Sequence, residues 1–116
     1  MGLYYKSTRN SNLKVTASEA ILKGLAPDGG LFVPSELPKL DVTMSDLKGK
    51  TYQEIAYLVM KQFLTDFTEE ELKNCIDKAY DSKFDTEEIA PLVKVDDTYY
   101  MELFHGATIA FKDMAL

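Results

Sequence analysis

The stretch TYQEIAYLVMKQFLTDFTEEELKNCIDKAY, residues 51–80, has the sequence pattern of two consecutive helices. Each half opens with a capping box, in which a threonine caps the first turn and a glutamate three residues later reaches back to it: Thr51 with Glu54, and Thr68 with Glu71. Apolar residues follow at helical spacing, at positions 52, 55, 56, 59, 60 and 63 and then at 72, 75, 76, 79 and 80. The short linker predicts an antiparallel helical hairpin that buries these residues, Cys75 among them, in a core.

The sequence before this hairpin predicts a small helix between two short strands. Residues 4–8 form a polar and aromatic run typical of a strand, and a third capping box, Thr16 with Glu19, opens a helix that ends near Gly24. The turn sequence APDGG at residues 26–30 leads into an apolar run at 31–33, which Pro34 ends. Residues 34–49 read as a loop with one helical turn at 45–47.

The pattern changes after the helical hairpin from helical spacing to that of strands. Residues 92–95 and 98–104, joined by Asp96 and Asp97, predict a β-hairpin. His105 and Gly106 then break the strand, and residues 107–116, ATIAFKDMAL, are apolar and compatible with a helix. The predicted fold class is therefore α+β.

Composition excludes several classes of protein. A chain of 116 residues has room for one domain or at most two, and 13 Lys and Arg against 19 Asp and Glu give a net charge of −6, which argues against a nucleic-acid-binding face. The sequence has no run long enough to span a membrane, no Cys/His cluster with metal-ligand spacing and no secretory signal. Together with a single cysteine, these features predict a metal-free protein of the cytoplasm.

Two residues near the end of the chain are candidates for a functional site. Lys112 lies in apolar sequence, and an ammonium group is costly to bury unless it is paired or used. Most single lysines lie at the surface, however, and His105 is explained equally well as a strand-end residue bonded to the backbone. The sequence also contains no glycine-rich phosphate loop. The residue pattern alone therefore leaves both assignments open.

Three stretches together resemble one family. They are YKSTR at residues 5–9, EAILKGLAPDGGLFVP at 19–34 and ELFHGATIAFKD at 102–113. In this order and spacing they resemble the threonine synthases, over essentially the whole chain and as the N-terminal quarter of such an enzyme. The resemblance implies a small N-terminal helical domain with short strands at residues 1–90. Residues 91–116 would then be the first strand and helix segment of a tryptophan-synthase-β-like (fold type II) domain that binds pyridoxal phosphate.

The resemblance also implies a lyase chemistry. Threonine synthases use pyridoxal 5'-phosphate to convert O-phosphohomoserine and water into threonine and phosphate, as part of threonine biosynthesis. By this resemblance Lys112 is the catalytic and cofactor-binding lysine, and Phe111 lies beside it in the cofactor site. A primary amine is required because it bonds to the cofactor aldehyde, and an apolar setting would help by lowering its pKa. The sequence departs from the family at Ala107, where a proline is usual.

The family places its phosphate-binding loop, the group facing the pyridine nitrogen and most of the substrate pocket further along the chain. We therefore expect these 116 residues to be inactive alone and to self-associate through the apolar segment 107–116. A second hypothesis is a stand-alone interaction module built on residues 51–83 and the β-hairpin. A third is another β-replacement or elimination enzyme with the same cofactor fold.

Overall fold

The computed structural model describes residues 2–116. Its helices and strands follow one another in the order β1 (Tyr5–Ser7), α1 (Ala17–Lys23), β2 (Phe32–Pro34), α2 (Met44–Leu47), α3 (Tyr52–Phe63), α4 (Glu69–Ala79), β3 (Leu92–Val95), β4 (Thr98–Met101) and a 3₁₀ turn (Phe111–Met114). This mixture of helices and short strands confirms the predicted α+β class.

Within residues 2–116, a threonine capping box begins each of the four α-helices. The boxes of α1, α3 and α4 lie at Thr16, Thr51 and Thr68, as predicted, and in each the threonine accepts from a backbone N–H while the glutamate accepts from the threonine N–H. The fourth box, at Thr43, uses Asp46 in place of glutamate, which explains why the sequence pattern did not reveal it. These caps set the start of each helix independently of the core.

The core lies between α3, α4 and the loop that follows α4. Its buried residues are Ala56, Leu72, Ile76, Tyr80, Phe84 and Ile89. Cys75 is exposed, so its predicted place in the core is wrong. The reason is that α4 buries only a narrow stripe, at positions 72 and 76, and Cys75 lies to one side of it.

Two antiparallel strand pairs flank the helices. In the first, Tyr5 of β1 pairs with Pro34 of β2. In the second, Val95 of β3 pairs with Thr98 of β4, which confirms the two-residue Asp-Asp turn. Asp96 in that turn has a left-handed backbone with φ +52°, a conformation that aspartate tolerates better than most residues. All eight residues of β3 and β4 are exposed.

Among residues 2–116, none of the helices has both the length and the apolar character that crossing a membrane requires.

Candidate functional site

Lys112 lies in the 3₁₀ turn, within a segment that we call the lysine loop, residues 106–116. Its side chain is exposed, and it takes part in none of the ion pairs found among residues 2–116. The expected apolar setting is not formed within residues 2–116: Lys112 is exposed, and the neighbouring Phe111 is itself 67% exposed. The structure therefore presents a primary amine that is accessible to an aldehyde.

The lysine loop forms one 3₁₀ turn rather than the helix with which its sequence is compatible. Asp113 accepts from the Thr108 backbone N–H at 2.8 Å and from the Thr108 hydroxyl at 2.5 Å. Ile109, between them, has a left-handed backbone with φ +64°. Side-chain bonds of this kind compete with helix formation, and a left-handed residue ends a helix. The helical pattern of residues 107–116 is thus overridden locally.

Gly106 fits closely against the Thr108–Asp113 bridge. A Cβ atom at Gly106 would lie 2.5 Å from both the Cβ atom and a carboxylate oxygen of Asp113. Separations this short do not occur between real side chains, so only glycine permits this approach. His105-Gly106, identified in the sequence as a strand break, is therefore also where the loop packs on itself.

A second attachment joins the lysine loop to the core. The hydroxyl of Tyr80 donates to the carbonyl of Met114 at 2.6 Å, and Met114 packs against the core cluster. A groove of about 530 Å³ lies between the loop and α4, and Cys75 lines it. Lys112 thus lies in a turn that is tied to Thr108 on one side and to the core on the other.

His105 lies between two carboxylates just before the lysine loop. Its Nε2 atom is 2.9 Å from Glu102 Oε1, and its Nδ1 atom contacts a carboxylate oxygen of Asp85. The backbone N–H of Asp85 also donates to the His105 carbonyl at 3.0 Å. Hydrogen bonding to Glu102, and secondarily to Asp85, raises the pKa of His105 above its ordinary 6.5. The sequence did not reveal this because Asp85 is 20 residues away.

The raised pKa of His105 predicts a pH-dependent contribution to stability. Because the folded-state pKa lies above the unfolded value of 6.5, the contribution is complete below pH 6.5 and is lost as the pH rises through the folded-state pKa. His105 is the only histidine, so its proton NMR titration is unambiguous. We expect a titration midpoint above 6.5 in the wild-type protein and a lower midpoint in Glu102→Gln. The control is Glu87→Gln, which replaces an exposed glutamate and should leave the midpoint unchanged. A wild-type midpoint at or below 6.5 would contradict this.

The other two family-like stretches contact each other. The Ser7 hydroxyl donates to Asp28 Oδ1 at 2.7 Å, and the same oxygen accepts from the Gly30 backbone N–H at 2.9 Å. Arg9 Nη1 donates to the Asp28 carbonyl at 3.1 Å, and Leu31 N–H donates to the Thr8 hydroxyl at 3.0 Å. These residues stabilise the β1–β2 pair and its turn, and the contacts account for them without a role in chemistry.

Within residues 2–116 no group of three or more histidine, cysteine, aspartate or glutamate side chains is arranged to hold a metal ion.

Comparisons with known proteins point to one family. The family model for the threonine synthase N terminus matches residues 4–80. The chain is 43% identical to threonine synthase of Schizosaccharomyces pombe and 38% identical to that of Saccharomyces cerevisiae, with 97% of this chain and 22% and 24% of those proteins covered. A crystal structure of PLP-bound threonine synthase from Brucella melitensis matches with a TM-score of 0.88 and 36% identity, over 98% of this chain and 25% of that one. The chain thus spans about a quarter of the length of the relatives it matches. The match over most of its residues shows that the chain belongs to the threonine synthase N-terminus family.

Proposed function

We propose that the protein to which this chain belongs is a threonine synthase, a carbon–oxygen lyase that converts O-phosphohomoserine and water into threonine and phosphate. The observation that carries the proposal is the match to threonine synthases over 97% of this chain, and Lys112 adds an exposed primary amine with no ion-pair partner among residues 2–116. The comparisons with threonine synthases favour this function over a stand-alone interaction module.

The residues present fit one end of pyridoxal phosphate. Lys112 supplies a primary amine that an aldehyde can reach, and Phe111 supplies an exposed aromatic ring beside it. When bound, the cofactor supplies an electron sink for carbon atoms of an amino-acid substrate. Lys112 would hold it through Nζ, and the same nitrogen, once free, would move protons at the α and β carbons of the substrate. Phe111 would cover an apolar part of the cofactor.

The proposal divides the chain at residue 90. Residues 1–90 would form the N-terminal domain, and residues 91–116 would begin the cofactor-binding domain. The end of the family model at residue 80 and the position of Lys112 beyond β4 support a boundary somewhere between these residues. The Asp85–His105 and Tyr80–Met114 contacts would then join the two parts.

The experiment that tests the proposed function uses the product of the complete gene that encodes this chain, because residues 1–116 contain no glycine-rich phosphate loop. One sample is incubated with pyridoxal phosphate, reduced with borohydride, digested and mapped by mass spectrometry. A parallel sample receives pyridoxal phosphate and then O-phosphohomoserine in place of borohydride. We expect a pyridoxyl label on Lys112, and threonine and phosphate as products. A label concentrated on another lysine would refute the site, and the absence of threonine would refute the substrate.

We also propose that the 116-residue chain, produced alone, self-associates through its exposed apolar end. Ile109 is 72% exposed and Leu116 is 98% exposed, and burial of such side chains favours association. Light scattering that gives the monomer mass across a wide concentration range would refute this.

A further inference from the structure

The Thr108–Asp113 bridge encloses the residues that lead into Lys112. Asp113 directly follows Lys112, and its carboxylate holds Thr108 by two hydrogen bonds, of 2.8 and 2.5 Å. The backbone N–H of Asp113 also donates to the carbonyl of Ala110 at 3.1 Å. The bridge therefore closes a six-residue loop, and hydrogen bonds to a charged acceptor are stronger than those between neutral groups.

The two residues that follow Lys112, Asp113 and Met114, are held by hydrogen bonds, whereas among residues 2–116 the amine itself has no such partner. The carbonyl of Met114 accepts a hydrogen bond of 2.6 Å from the hydroxyl of the buried Tyr80. Gly106 lies close to Asp113, since a Cβ atom at Gly106 would come within 2.5 Å of a carboxylate oxygen of Asp113. The backbone direction at Lys112 is thus set by Asp113 and Met114, and not by any contact of the lysine side chain.

We propose that Asp113 is a positioning residue for Lys112: its bridge to Thr108 fixes the turn from which the amine projects toward the cofactor. The inference rests on the proposed function, because it requires Lys112 to be the lysine that binds pyridoxal phosphate. Asp113 touches neither cofactor nor substrate in this role. It acts by removing alternative backbone conformations that would carry the amine away, which lowers the entropic cost of binding.

The test compares three variants of the complete gene product. Thr108→Val keeps the shape of the side chain and removes the hydroxyl donor, Asp113→Asn keeps the shape and removes the charged acceptor, and Thr108→Ser keeps the hydroxyl. Pyridoxal phosphate and borohydride are used as above, and the label at Lys112 is divided by the label at Lys48, an exposed lysine in the same molecule. We expect this ratio to fall about fivefold or more in Thr108→Val and Asp113→Asn, because each variant loses at least one hydrogen bond of the bridge. In Thr108→Ser the ratio should stay at the wild-type value.

Hydrogen exchange measured without cofactor gives a second readout. We expect faster exchange of peptides covering residues 104–116 in Thr108→Val and Asp113→Asn, and unchanged exchange in α3 and α4, which shows that the variants fold. If Lys112 is labelled in the wild-type protein and the labelling ratio is unchanged in Thr108→Val and Asp113→Asn, the positioning role alone is overturned. Wild-type protein without label on Lys112 would overturn the proposed function and this inference with it.

Discussion

Replacing Lys112 with alanine in the complete gene product is expected to lower the rate of threonine formation by about 10³-fold or more. The variant loses both the nitrogen that would hold the cofactor and the base that would move substrate protons. Lys112→Arg is expected to be as inactive, because a guanidinium keeps the positive charge but does not act as a primary amine toward an aldehyde. The measurement is the steady-state rate of phosphate release, with threonine identified as the second product.

Lys94→Ala provides the matched control for this experiment. Lys94 lies in β3, is exposed and has its ammonium 5.6 Å from the centre of the Tyr99 ring, so it is a surface lysine with a structural contact only. We expect its variant to retain wild-type turnover. Normal turnover in Lys112→Ala, or an active Lys112→Arg, would remove the basis for the proposed site.

Ile89 is expected to respond to substitution differently from the other core isoleucine. Its side chain is only 1% exposed, yet its backbone is left-handed with φ +62°, a conformation unfavourable for β-branched residues. Ile89→Ala leaves a cavity and keeps the backbone strain, so we expect a loss of about 2–5 kcal/mol in the free energy of unfolding. Ile89→Gly loses one more buried methyl group but relieves the strain, and we expect its stability to be close to that of the alanine variant.

Ile76 is the matched control, because it is 3% exposed in the same core cluster but lies in the helix α4. Ile76→Ala is also expected to cost about 2–5 kcal/mol. Ile76→Gly is expected to cost about 1–2 kcal/mol more than Ile76→Ala, since glycine is unfavourable within a helix and a further methyl group is lost. Denaturant unfolding measures all four variants. An equal difference between glycine and alanine at both positions would show that Ile89 is not strained.

Local signals in the sequence predicted most of the elements. The threonine caps at Thr16, Thr51 and Thr68 and the Asp96–Asp97 turn each depend on residues no more than four apart, and each lies where predicted. A cap or a tight turn has a local cause, so a short stretch of sequence is sufficient to identify it.

The features that sequence reasoning missed depend on contacts between distant residues. Cys75 has a helical apolar position but remains exposed because it lies to one side of the stripe that α4 buries. The carboxylate of Asp85 reaches His105 across 20 residues, and Lys112 is exposed although the segment around it, residues 107–116, is mostly apolar. Burial depends on what the rest of the chain brings to a residue, which periodicity cannot reveal. The candidate lysine itself came from the resemblance and not from its pattern of neighbours.

The β1–β2 turn makes substitution at residue 30 depend on the side chain at residue 7. A Cβ atom added at Gly30 would collide with the hydroxyl oxygen of Ser7 and would lie 3.0 Å from both Asp28 Oδ1 and Thr8 Oγ1. Three oxygen atoms therefore occupy the space that any side chain at Gly30 would need. An evolutionary path that enlarges residue 30 must first lose the hydroxyl at residue 7, so the order of these two changes is set by the structure.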